Sequence, residues 1–216
     1  MKKLFSFTIT LVIFVFCSSA YPQGGAPGLD AGTVRDSTYA NKYFGMQVHI
    51  PDGWQVQDNE ATRALIERGR DLAVGDDKNL DAMIRASEQR SLTLLSVFKY
   101  APGSPVDFNP SFMCVVERVD GLPGLKKGSD YLFHVRKGLA ASKITPTFER
   151  EIYDTTLAGV EFGVLETKLT IGKLEIRQKY CSTILKGYAV SFIVSYSSNE
   201  ELRVENDMLH SMKLQM

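Results

Sequence analysis

A chain of 216 residues, 44% hydrophobic and 23% charged, is long enough to bury a core without metal or disulfide staples. Its 25 Lys and Arg balance its 25 Asp and Glu, so it lacks the basic excess a dedicated nucleic-acid binder uses to neutralise phosphates. Three cysteines with no CxxC pair, and three scattered histidines, offer no zinc-ligand spacing.

Lys2 and Lys3 precede an apolar run from Leu4 to Phe16, and Ser18-Ser19-Ala20 puts small residues before a cleavage point. Residues 1–20 therefore read as a secretory signal peptide. The apolar run is short for a membrane span and Tyr21-Pro22-Gln23-Gly24-Gly25 breaks it, so no stable transmembrane anchor is expected after cleavage. Phe16 stands where a bacterial lipoprotein signal places a small residue before its lipidated cysteine, which argues against lipidation of Cys17. Loss of Lys2 and Lys3 leaves 23 cationic and 25 anionic side chains, a formal charge of −2. The expected location is extracytoplasmic, either secreted or periplasmic. Residues 21–37, rich in Gly, Pro and small side chains, read as a flexible tether.

A single domain is expected over residues 38–216. Phe44, Met46, Val48 and Ile50 share one parity, the mark of a strand with one buried face, and Pro51-Asp52-Gly53 turns the chain before Trp54 and Val56. Asn59 to Val74 predicts a helix with Ala61, Ala64, Leu65 and Leu72 on its apolar side, stopped at Gly75. A second, shorter helix follows, carrying Leu80, Met83, Ile84 and Ser87 on one face. Ser91–Tyr100 and Ser111–Val119 read as strands. Ser129 and Asp130 can cap a helix whose buried stripe is Tyr131, Leu132, Val135 and Leu139. Thr147–Tyr153 reads as a strand. Val160–Thr170, Leu174–Leu185 and Tyr188–Tyr196 form a meander with turns near Gly172 and at Lys186-Gly187. A capping box from Ser197 or Ser198 opens the last helix, with Leu202, Val204, Met208, Leu209 and Met212 inward. Hairpin connections imply an antiparallel sheet, and amphipathic helices must cover it, so the fold class is α+β.

Cys114 and Cys181 each sit in an apolar strand. They either pair in an oxidising compartment or pack as small hydrophobes; the sequence leaves both open.

Tyr39-Ala40-Asn41-Lys42-Tyr43-Phe44-Gly45 followed by Ile50-Pro51-Asp52-Gly53-Trp54 resembles the opening of PsbP-like domains. The order of later pieces is similar too: Tyr131–Leu139, Leu157-Ala158-Gly159-Val160-Glu161-Phe162, Gln178-Lys179-Tyr180 and Gly187-Tyr188-Ala189-Val190-Ser191-Phe192. The resemblance spans about residues 38 to 214. It implies an α/β/α sandwich around a central, mainly antiparallel sheet, and a largely non-enzymatic binding or assembly role. Ala61 to Arg90 looks like an insertion relative to the plant members.

No nucleophile elbow, P-loop or dinucleotide fingerprint occurs. His49, His134 and His210 read as solvated or structural histidines. Asp77 to Glu88 places oxygens at several EF-hand ligand positions. However, Ala82 stands where the loop needs glycine and Arg85 where it needs a ligand, so a capped helix is the simpler reading. Gly121 to Gly128 is a Gly/Lys loop without the serine or threonine that follows a P-loop lysine. Trp54 is expected in the core under a helix. No catalytic, cofactor-binding or metal-ligating residue is nominated. The function expected is a secreted, non-catalytic domain with a protein or small-ligand partner outside the cytoplasm. The alternatives are an extracytoplasmic hydrolase with dispersed residues and a small-ligand or metal carrier.

Overall fold

The computed structural model describes residues 29–144, 146–171 and 173–215. The signal peptide expected over residues 1–20, Cys17 within it, residues 21–28 of the expected tether and the turn expected at Gly172 lie outside them. The elements run in order: β1 (Thr33–Arg35), β2 (Thr38–Asn41), β3 (Met46–His49), β4 (Gln55–Val56), α1 (Asn59–Val74), α2 (Lys78–Glu88), β5 (Ser91–Phe98), β6 (Ser111–Arg118), α3 (Gly128–Ala141), β7 (Thr147–Phe148), β8 (Tyr153–Leu157), β9 (Val160–Ile171), β10 (Leu174–Leu185), β11 (Tyr188–Tyr196), α4 (Asn199–His210) and β12 (Lys213–Leu214).

A large antiparallel sheet in the order β4-β5-β6-β11-β10-β9-β7, with β8 also on β9, forms the middle layer. Its central strand β11 is buried along its whole length. Alternation sorts the side chains into two cores. On one face Met113, Val115, Leu165, Tyr180 and Ile193 meet α1, α2 and α3. On the other, Phe112, Cys114, Val164, Phe192 and Val194 meet α4 and a small second sheet, β1-β2-β3-β12. Phe192 stands between Phe112 and Phe162 with ring centroids 5.8 and 6.0 Å apart. Each such pair adds about 0.5–1.5 kcal/mol beyond its buried area. The fold is the α+β sandwich expected from the sequence, with the small sheet sharing one outer layer with α4.

The meander follows from local chemistry. Lys186 and Gly187 both adopt positive φ, 51° and 81°, the geometry of a two-residue turn that matches strand twist. That turn sets the β10–β11 register from Leu185↔Tyr188 out to Arg177↔Tyr196.

Several details depart from expectation. The tether's end is structured: Thr33–Arg35 pairs with β2, the Tyr39 hydroxyl donates to Ala31 O at 2.9 Å and Asn41 Nδ2 to Asp30 O at 2.8 Å. Backbone pairing orders a segment whose composition alone has too little apolar surface to do so. The strand expected over Phe44 to Ile50 is β3, preceded in the same small sheet by the additional strand β2, and Pro51-Asp52-Gly53 is a corner between sheets. Thr147–Tyr153 is two short strands, β7 and β8, laid against different parts of β9.

The helix α1 has the expected bounds but a rotated inner face. Thr62, Gly69, Arg70, Ala73 and Val74 are buried, whereas Ala64 and Leu72 are exposed. In α2, Leu80, Ile84 and Ser87 are buried but Met83 is exposed. The helix α3 starts at Gly128 with Lys127 as its cap residue; Asp130 sits inside the first turn, where its carboxylate accepts from the Lys126 and Lys127 N–H groups. Ser198 is the cap of α4, its hydroxyl accepting from Glu201 N–H.

Cys114 and Cys181 are free and buried. Both register against Phe192, so they lie two strands apart, about 10 Å, too far to bridge. Burial pushes the Cys181 thiol up to about 12 and the Cys114 thiol higher still.

Candidate functional site

The helical face of the large sheet carries the polar features. On β6, Met113, Val115 and Glu117 share one parity, so an acid points inward with two hydrophobes. Glu117 is 1% exposed. Its Oε1 lies 3.2 Å from Arg90 Nη2, just beyond α2, and its Oε2 accepts the Tyr131 hydroxyl of α3 at 3.1 Å. Farther along this face, Ser182 and Ser191 share a hydrogen bond of 2.7 Å. Burial raises Glu117 to about 7 against the opposing pull of Arg90 and the Tyr131 hydroxyl. The Tyr131 phenol is raised by burial and then by the Glu117 charge. A general acid or base must reach a reacting atom. Here both carboxyl oxygens are engaged and the group is sealed from solvent, so the cluster pins the end of α2 and α3 to β6. The signal for it was legible: an acid in phase with Met113 and Val115.

A second buried acid, Glu205, lies on the inner side of α4 with no exposure. Burial raises it well above the carboxylate range, with the charge of Glu201 adding to the effect.

The histidines lie apart from these groups. His49 and His210 are exposed on β3 and at the end of α4. His134 is half-buried on α3, lowered by burial and by Lys137, and so favours the neutral imidazole. It lines an open groove with Phe133, Lys127, Asp154, Arg136 and Glu151. That groove's charges are committed to each other: Lys127 to Asp154 at 2.7 Å and Arg136 to Glu151.

Asp77 to Glu88 is the cap and body of α2 rather than a loop. Asp77 accepts from Asn79 and Leu80 N–H, Asp81 pairs with Arg85 at 2.8 Å, and Arg70 of α1 lies 3.0 Å from Glu88 and 3.5 Å from Asp81. Two arginines supply the positive charge a cation would have brought. Among the described residues no group of three or more His, Cys, Asp or Glu could hold a metal ion. In the Gly121–Gly128 loop, Leu122 is buried and the Lys126 and Lys127 amides are committed to Asp130. Trp54 packs half-buried against the core shared with the small sheet and α4.

The feature that sequence reasoning missed is a cleft between α1 and the outer edge of β5. Two adjoining cavities of about 160 and 270 Å³ open there, and Thr62 and Thr93 line both. Neither residue stands in a motif; each reads as an ordinary threonine in a helix and a strand.

No family sequence model matches the chain, and no curated protein matches it by sequence. Solved structures do. The solution structure of cyanobacterial PsbP (CyanoP) from Synechocystis sp. PCC 6803 superposes with a TM-score of 0.52 at 11% identity, covering 91% of this chain and 98% of that one. LpqN, involved in cell envelope biogenesis of Mycobacterium tuberculosis, gives a TM-score of 0.46 at 11% identity over 79% of this chain and 83% of its own. Identity this low speaks for fold alone, and the near-complete mutual coverage with CyanoP, together with the three-layer order described above, establishes that fold as PsbP-like.

Proposed function

We propose that the protein is a secreted, non-catalytic PsbP-like domain that binds or assembles a partner outside the cytoplasm. The observation that carries this reading is the end-to-end fold likeness to a cyanobacterial PsbP protein. The leader pattern of residues 1–20 supports the location. The chemistry described is consistent with it: the buried acid Glu117 is tied up by Arg90 and Tyr131, and the groove along α3 presents paired charges.

The test has two arms. Mass spectrometry of the protein from its native host is expected to find it outside the cytoplasm with Tyr21 as its first residue. The purified chain is expected to show no turnover on ester, peptide, glycoside and phosphate substrates. A cytoplasmic chain retaining residues 1–20 overturns the location. Turnover abolished by one side-chain substitution overturns the non-catalytic reading.

A further inference from the structure

The inner side of α4 is apolar except at one position. Met208 and Leu209, with Met212 just beyond the helix, pack into the core shared with the small sheet. Glu205 shares their side of the helix one turn earlier and has no exposure. Glu117 is nearly as sealed, but both its carboxyl oxygens are engaged; neither oxygen of Glu205 has a hydrogen-bond partner. Some core hydroxyls are unpartnered too, yet a hydroxyl stays neutral where a carboxyl becomes an anion.

The groups packed around Glu205 do not accommodate that anion. On α4 itself, Glu201 is an acid whose charge opposes ionisation, while Glu200, Arg203, Asp207 and His210 face water. The Ser111 backbone of β6 and the Lys99 ammonium pull the other way, but Lys99 lies 3.8 Å from Glu201 and is partly solvated. The Tyr196 phenol of β11 is raised by burial and then by neighbouring acids, Glu205 among them. Lys179 of β10 donates instead to Asn206 Oδ1 at 3.2 Å. From β3, His49 offers only its backbone N–H, to Ser211 Oγ at 3.0 Å.

The helix can leave without breaking a pair of the large sheet, none of whose strands comes after Tyr196. It is held down by its apolar side, by the contacts of Lys179 and Lys99, and by the two pairs of β12 with β3.

We infer that α4, together with β12, is a cover that opens when Glu205 gives up its proton, baring the apolar layer under Met208 and Leu209. An ionised Glu205 has to reach water, and lifting α4 takes it there. The direction follows from linkage. Glu205 holds its proton more tightly with α4 closed, so closure is full below the acid's ordinary value of 4.5 and weakens as pH rises through the higher value it has when buried. This device goes beyond the binding reading above and does not rest on it.

Hydrogen exchange of the purified chain, read by residue between about pH 5 and 8 and corrected for the intrinsic rate, is the test. Protection in α4 is expected to fall about tenfold per pH unit at the start of that range, the dependence of an opening that releases one proton. The interior amides of β6 and β11 are expected to remain better protected than α4 throughout. Glu205→Gln keeps the shape and cannot ionise, and is expected to remove the pH dependence from α4. Should that variant be unfolded by circular dichroism, Glu205→Met, which puts an apolar chain of similar length in the same place, decides instead with the same expectation. Anilinonaphthalene sulfonate fluorescence is expected to rise with pH in the native chain and to stay flat in the variant. Protection in α4 that does not vary with pH, a slope that survives the substitution, or β6 and β11 exchanging as fast as α4 overturns the inference.

Discussion

Helices α3 and α1 lie on the same face of the same sheet and solve the packing problem differently. The inner side of α3 is apolar, with Tyr131, Leu132, Val135 and Leu139 all at most 2% exposed. Its first turn comes so close to the sheet that two glycines are needed: a Cβ on Gly128 would run into the Ser182 carbonyl, and one on Gly163 into the Ser129 backbone. The inner side of α1 presents Thr62 and Arg70 instead, held by ion pairs to α2, and leaves space above β5. Close packing makes one helix part of the frame; polar pinning makes the other a cover with room beneath it.

The comparison breaks most sharply at the glycines. Gly163→Ala forces β9 and the start of α3 apart and is expected to cost about 3 kcal/mol, the upper range for overpacking, measured by urea denaturation. A loss under about 0.5 kcal/mol would mean the close approach is dispensable.

The buried acids set the next effect. Glu117 and Glu205 bind protons more readily folded than unfolded. A carboxyl group with a raised folded value gives stability that is full below its unfolded value and is lost as pH rises through the folded one. For Glu117 that window runs from the unfolded value of 4.5 up to about 7. Stability is therefore expected to fall between about pH 4.5 and 7, by on the order of 3 kcal/mol. Glu117→Gln keeps a partner for Tyr131 and is expected to flatten the slope. An unchanged slope in that variant and in Glu205→Gln would show that neither acid titrates in this window.

Arg70→Ala sharpens the contrast between helices. Removing the cation leaves Asp81 and Glu88 facing each other's charge and unpins α1 from α2, at about 1–2 kcal/mol given that the pairs are partly solvated. Hydrogen exchange is expected to quicken in α1 and α2 while α3 keeps its protection. Equal loss in α3 would mean the two helices form one unit.

The smallest effect is the most diagnostic of α1's rotation. Leu72→Lys, on a side chain 45% exposed, is expected to change stability by no more than about 0.5 kcal/mol. A large loss would restore the apolar face inferred from hydrophobic spacing.

Hydrophobic spacing found α3 and misplaced α1 for one reason. Periodicity identifies the buried side only when that side is apolar. In α1 the inward positions include Thr62, Gly69 and Arg70, so Ala64 and Leu72 looked like the stripe although they face water. The meander was legible because its turns and alternation are local; Lys186-Gly187 needs no distant contact to form. The small sheet was not, because it joins β3 to β12, more than 160 residues apart as in the hydrogen bond from His49 N–H to Ser211 Oγ. Of the candidate cleft, only the helix and strand that bound it could be read. Its walls come mostly from residues 31–34, 56–67 and 88–96, and how far apart a helix and a strand stand is a property of three-dimensional neighbours.

That same small sheet carries a consequence for synthesis order. Strand β3 has β2 on one side and β12 on the other, and the Gln215 amide closes onto Gly45 O at 2.9 Å. A ribosome or a translocation channel delivers Gln47 long before Lys213, its partner. One flank of β3, and with it Met46 and Val48, stays uncapped until Lys213 and Leu214 emerge. The layer over Phe112 and Phe192 thus closes only after β12 has been delivered, and a variant whose Lys213–Leu214 strand cannot pair would leave β3 with a sticky edge.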